Sequence, residues 1–175
     1  MGTRSITSLI LSFLLYLILQ IFLFNSWYMI LFNYGFCFVY LATILLLPFE
    51  TPKLLVLLLA FITGLTIDVF YDTAGIHAAA CTLIGFSRYY ILKILSPREG
   101  YDLGLSPTID SMGTLWFVMY AASIIFIHHL FFFYLEIFRF NEFFRTLLRV
   151  ILSTIGTFIM VYVIQFLFYK SSQNK

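Results

Sequence analysis

Charged residues make up only 10% of these 175 residues. A water-soluble domain of this size carries about 25%, so an ordinary soluble fold is excluded. Cysteine is almost absent. Cys37 and Cys81 both fall inside apolar runs, with no partner at metal-ligand spacing, which predicts two buried reduced thiols and excludes a disulfide framework. The net charge is only +2, too weak to imply nucleic acid. There is no phosphate-binding glycine loop, no nucleophile–base pair and no metal quartet, so catalysis has no positive support. The N-terminal apolar run is too long for a signal-peptide core and lacks an Ala-x-Ala-like site. Ile6 stands where myristoylation needs Ser or Thr.

What is present is apolar: 62% hydrophobic residues, 22 of them Phe, with mean hydropathy +1.01. A spanning helix needs roughly 20 apolar residues. Six segments qualify: 6–24, 27–47, 54–71, 74–95, 112–135 and 147–168. The expected fold is an all-α membrane protein, a single domain over 1–175 built as a six-helix bundle. Asn25 and Ser26 separate the first two spans, and Trp27 and Tyr28 suit an interface anchor. Pro48 and Pro52 end the second span. The third and fourth form a tight hairpin at 71–75. Pro97, Gly100, Gly104 and Pro107 break any helix across the polar stretch 96–110.

Six spans put both termini on one side. With the termini inside, Arg4, Lys53, Arg88, Lys93, Arg98, Lys170 and Lys175 fall on inner ends, against Arg139, Arg145 and Arg149 outside. The excess predicts cytoplasmic termini.

The hairpin holds the conspicuous chemistry: Asp68, Asp72, His77 and Arg88. Each ionisable group at such depth costs about 2.5–3.5 kcal/mol on insertion scales. Asp68 and Asp72 are four apart and share a face if the helix continues, where they could share a proton or hold a cation. The favoured reading gives Asp72 the start of the fourth helix as a cap, with a carboxylate–imidazole pair to His77 fixing the hairpin. Arg88 lies three turns along the same face. Two carboxylates and one His are a weak zinc signal, so no metal or cofactor is expected. Gly75, Ala78, Ala79, Thr82 and Gly85 form a small-residue strip that lets helix backbones approach, and Gly64 can do the same on the third span. His128 and His129 are expected at the interface. Glu136, Arg139, Glu142, Arg145 and Arg149 follow helical spacing, which predicts an amphipathic helix over 136–149 in the headgroup region.

Leu47-Pro48-Phe49, Pro52, then Gly64-Leu65-x-x-Asp68-x-x-x-Asp72-x-x-Gly75-x-His77-Ala78 and Pro97-Arg98-Glu99-Gly100-Tyr101 together resemble MreD, the rod shape-determining membrane protein family. The motifs cover 47–102, about a third of the chain; the rest is similar only in hydropathy. The resemblance implies a non-enzymatic scaffold of the bacterial elongation machinery. It implies MreC as direct partner, RodA, a class B penicillin-binding protein and MreB as indirect ones, membrane lipid around the bundle and no nucleic acid. It also implies a fold like the substrate-binding subunits of energy-coupling-factor transporters. From that analogy comes a rival expectation, a transporter subunit binding a small molecule or lipid headgroup. Pro97, Arg98, Glu99 and Gly100 are then a cytoplasmic contact loop, and the 136–149 helix, with Arg139, Arg145 and Arg149, touches the partner just outside the membrane.

Overall fold

The computed structural model describes residues 6–24, 35–138 and 142–168. Arg4, Trp27, Tyr28, Arg139, Lys170 and Lys175, and the first part of the expected second span, lie outside the described residues.

Among the described residues the chain is all-helical. Helix α1 (Ile6–Ile18) continues as a π-helical turn (Leu19–Phe24). A short 3-10 turn (Val39–Leu41) leads into α2 (Ala42–Leu45). Then come α3 (Lys53–Tyr71), α4 (Ile76–Ile94), α5 (Ile109–Met112), α6 (Thr114–Ile137) and α7 (Phe143–Phe168). Helices α3, α6 and α7 are each long and apolar enough to cross a membrane. Their outward faces expose Val69, Leu115, Phe144 and Phe166, as lipid-facing surface does. Helix α4 is as long as α3 but less apolar, because it carries His77, Arg88 and Lys93.

Helix α3 packs on α4, α4 on α6 and α6 on α7. The centre is filled by residues 37–47, which are buried throughout. This departs from the expected second span. Its described part is no spanning helix: residues 36–38 are without regular structure, and only one 3-10 turn and one α turn follow. The segment satisfies its backbone with other elements' side chains. Phe36 N–H donates to Ser153 Oγ (2.9 Å) and Phe38 N–H to Thr157 Oγ1 (3.0 Å). Gln20 Nε2 donates to the Cys37 carbonyl (3.3 Å), and its Oε1 accepts from Tyr40 N–H (3.4 Å). Non-helical backbone at membrane depth persists only where protein supplies such partners. Hydropathy alone does not register them.

The helix boundaries have local causes. Pro52 precedes α3 with φ −56°, as proline suits a helix start. Asp72 ends α3 in the left-handed region, φ 53°, and Gly75 takes φ +86° just before α4. The hairpin therefore turns within four residues, as its sequence predicts. Gly113, φ +82°, divides α5 from α6, so the helix expected from Met112 begins at Thr114. The expected 136–149 helix is also divided. Glu136 belongs to the last turn of α6, Phe138 ends that helix with φ 42°, and Arg145 and Arg149 belong to α7. A left-handed residue resets helical phase, so the regular charge spacing does not mark one continuous stripe.

Candidate functional site

Two buried polar networks lie at different depths along α4. The first surrounds the hairpin turn. The Asp68 carboxylate accepts from the Thr73 hydroxyl (2.5 Å), the His77 N–H (3.0 Å) and the Ala78 N–H (2.8 Å). Asp68 is therefore the acid that caps α4. Asp72, given that role on sequence grounds, is exposed and caps the end of α3 with its backbone. The reason is reach. A residue one turn back in α3 projects across the closed turn to the free N–H groups of α4, whereas Asp72 has already left helical geometry.

The expected carboxylate–imidazole pair is also corrected. Asp68 uses its oxygens on backbone, and His77 Nδ1 instead meets Tyr40 Oη at 2.7 Å. The same hydroxyl lies 3.0 Å from His128 Nε2. His128 and His129 are fully buried, not interfacial. His129 Nδ1 lies 2.8 Å from the Ile125 carbonyl and Nε2 lies 3.3 Å from Thr157 Oγ1. Phe38 stacks on His129 with centroids 5.2 Å apart. Gln20 Nε2 donates to Tyr71 Oη at 2.8 Å, tying the π-helical turn to the end of α3. No local sequence signal marks Tyr40, Gln20 or the two α6 histidines as site residues. Adjacent histidines point apart on a helix: His128 meets Tyr40 of the buried segment, and His129 meets Thr157 of α7.

The second network is built on Arg88, which is 3% exposed. Its Nε donates to Tyr120 Oη (3.0 Å), and one terminal nitrogen donates to the Leu47 carbonyl (2.5 Å) and the Pro48 carbonyl (3.3 Å). Tyr120 in turn donates to the Leu45 carbonyl (2.8 Å). Helix α2 ends at Leu45, so the Leu45 carbonyl and that of Leu47 just beyond lack intrahelical donors, while the Pro48 carbonyl also accepts from the Thr51 N–H and hydroxyl. The guanidinium fork supplies several donors from one side chain. Arg88 thus shares α4 with His77 but not its cluster, and it is not a headgroup charge.

Beyond Arg88, Pro97, Arg98, Glu99 and Gly100 form an exposed turn closed by Gly100 N–H to Pro97 C=O at 3.1 Å. Tyr101 anchors the turn. Its ring stacks on Phe49 at 4.1 Å and its hydroxyl donates to the Leu92 carbonyl at 2.8 Å. Partial burial raises the Tyr101 hydroxyl above its usual range. Glu50 Oε1 accepts from Gly104 N–H at 2.6 Å, so the 48–52 turn and the 97–108 loop form one cap on this end of the bundle.

The small-residue strip serves the hairpin. A Cβ on Gly64 would lie 2.5 Å from the His77 carbonyl oxygen, and one on Gly85 would lie 2.9 Å from the Ala60 Cβ. The strip's outer edge, with Gly75, Ala79 and Thr82, lines an open apolar groove of about 710 Å3. At the far end of α6, Arg149 meets Glu136 at 3.7 Å and lies over the Phe36 and Phe133 rings. Arg145 meets Glu142 at 3.7 Å. Among the described residues no three His, Cys, Asp or Glu side chains are placed so that they could hold a metal ion.

The arrangement is that of a helical membrane protein with a polar interior. The chain matches no family model, no curated protein and no solved structure.

Proposed function

We propose that the chain is a non-enzymatic, multi-pass scaffold of the bacterial cell-elongation complex that binds MreC. In this reading it crosses the cytoplasmic membrane six times, in a bundle like the energy-coupling-factor substrate subunits, with both termini in the cytoplasm. The second crossing is the broken, buried segment. Arg88 no longer counts toward the inner charge, yet the remaining inner basic residues still outnumber the outer three. The observation that carries the reading is how the MreD-like residues are used. Gly64, Asp68, His77 and Tyr101 engage the chain's own backbone or side chains, and Pro48 offers its carbonyl to Arg88. Residues spent on holding a hairpin and its caps suit a rigid body that presents its outer surface to a partner.

The test is recovery. The full chain, extracted in several mild detergents, should bring down MreC, identified by mass spectrometry. Failure in all of them would overturn the reading. Recovery of an ATPase instead would favour the transporter-subunit alternative.

A further inference from the structure

The sequence has three histidines, and all three are buried in one network. Their partners fix where each ring carries its proton. The Ile125 carbonyl can only accept, so His129 Nδ1 donates to it, which leaves His129 Nε2 the acceptor nitrogen, facing a Thr157 hydroxyl that also reaches the Phe36 carbonyl. His128 Nδ1 has no partner among the described residues. An orphaned buried N–H is rarer than an under-used acceptor, so His128 carries its proton on Nε2 and donates it to Tyr40 Oη. Tyr40 has one proton, which points to His77 Nδ1. The distances agree. The 2.7 Å contact to His77 has the length of an O–H donor, and the 3.0 Å contact to His128 that of an N–H donor. The result is a directional chain from His128 through Tyr40 to His77.

We propose that this chain is a binding site for one proton, taken up at His77 Nδ1. The proton comes from water at the hairpin turn, where Asp72 and Ala74 are exposed. One N–H bond forms at His77 and no bond within the protein breaks. The Tyr40 hydroxyl rotates its hydrogen off His77 and onto the Cys81 sulfur beside it. Its oxygen then accepts from both rings. Around His77, α3 supplies Asp68 and Tyr71, α4 supplies Cys81, the buried segment supplies Tyr40, and α6 supplies His128 and His129. Helix α7 and the π-helical turn bring Thr157 and Gln20 into the network, neither titratable. Asp68 is the carboxylate in this set, and it lies at His77. A proton on His128 Nδ1 would instead be left without an acceptor. Proton uptake therefore adds an Asp68–His77 attraction across the hairpin and turns the hydroxyl that ties the hairpin to the buried segment.

The experiment uses the full chain in detergent micelles with 15N-labelled histidine. Ring nitrogen shifts are followed from about pH 8 down to about pH 3.5, because burial disfavours a charged imidazole and carries its titration below the range in which histidine charge ordinarily changes. His77→Gln, His128→Gln and His129→Gln assign the three rings. At the upper end, two rings protonated at Nε2 and one at Nδ1 are expected. On acidification His77 alone becomes doubly protonated while circular dichroism stays native. In Tyr40→Phe the signals of His77 and His128 move and those of His129 do not. Any other tautomer pattern in the native chain overturns the assignment. First protonation at His128 or His129, or a His77 that stays neutral until the fold is lost, overturns the proton site. Should the variants fail to fold, ring-to-backbone correlations in the uniformly 13C,15N-labelled native chain assign the three rings, and the identity of the titrating one decides.

Discussion

A Cβ built on Gly64 would lie 2.5 Å from the Cα of Ala78, so the backbones of α3 and α4 touch where they cross. The atom met is main chain and cannot swing aside. Gly64→Ala should therefore cost at least the upper end of the ~1–3 kcal/mol typical of overpacking. Gly75→Ala meets nothing within 4 Å but must hold φ +86°, a penalty of about 1–2 kcal/mol. Thermal melting in detergent should rank Gly64→Ala below Gly75→Ala, and both below the native chain. Equal melting of Gly64→Ala and native protein would mean that the helices do not touch here.

The two hairpin acids should respond very differently. Asp68→Ala leaves two N–H groups at the start of α4 without their acceptor. Each buried unsatisfied group costs about 1–3 kcal/mol. A large fall in abundance and melting temperature is expected, with Asp68→Asn in between because one amide oxygen still accepts. Asp72→Asn, exposed and in a left-handed position that Asn tolerates, should melt within about 0.5 kcal/mol of native. The reverse ranking would return the cap to Asp72.

Arg88 holds the Leu47 carbonyl, whereas the Pro48 carbonyl also accepts from the Thr51 N–H and hydroxyl. Arg88→Met should destabilise by about 1–3 kcal/mol through the Leu47 carbonyl left bare. Arg88→Lys should rescue only part, since a point charge cannot serve Tyr120 and Leu47 as the guanidinium fork does. Full rescue by Lys would show that charge, not fork geometry, matters here.

The exposed turn separates contact from stability. Arg98→Ala with Glu99→Ala should leave melting within about 0.5 kcal/mol of native, while Tyr101→Ala loses the Phe49 stack and the Leu92 bond and should melt lower. Under the proposed function, the double variant should recover less MreC. Unchanged recovery would remove this loop from the interface.

The hairpin was legible in the sequence because its signals are local. Glycine, aspartate and proline at short spacing set turn and helix ends, and α3 and α4 end within two residues of their expected limits. The apolar runs likewise mark α3, α6 and α7. The interior of the bundle was not legible, because its pairs are remote. Tyr40 meets residues 37 and 88 positions away, and Phe38 is held by Thr157 at a separation of 119. Hydropathy counts Phe36, Cys37, Phe38 and Val39 as span without asking whether their amides have helical partners. Charge spacing failed at 136–149 for a related reason: one left-handed residue, Phe138, breaks a register that counting carries straight through.

Beyond that break the two described arginines of α7 are used differently. The Arg149 side chain is 20% exposed, with Glu136 at 3.7 Å and the Phe36 and Phe133 rings at 5.1 and 4.9 Å from its guanidinium. It joins α6, α7 and the buried segment. The Arg145 side chain is 63% exposed and meets Glu142 one turn earlier in the chain, an arrangement worth about 0–1 kcal/mol. Reversing Arg149 to Glu sets two carboxylates together against aromatic faces, so Arg149→Glu should lower melting clearly, and a double-mutant cycle with Glu136→Gln should show coupling of about 0.5–3 kcal/mol. Arg145→Glu should leave melting within about 0.5 kcal/mol of native. If the outer face of α7 touches MreC, Arg145→Glu weakens recovery at low salt and loses that effect at high salt, where exposed charges are screened. Recovery that is indifferent to Arg145→Glu at every salt concentration would take this end of α7 out of the contact. Melting that is indifferent to Arg149→Glu would show that the α6–α7 turn does not depend on its ion pair.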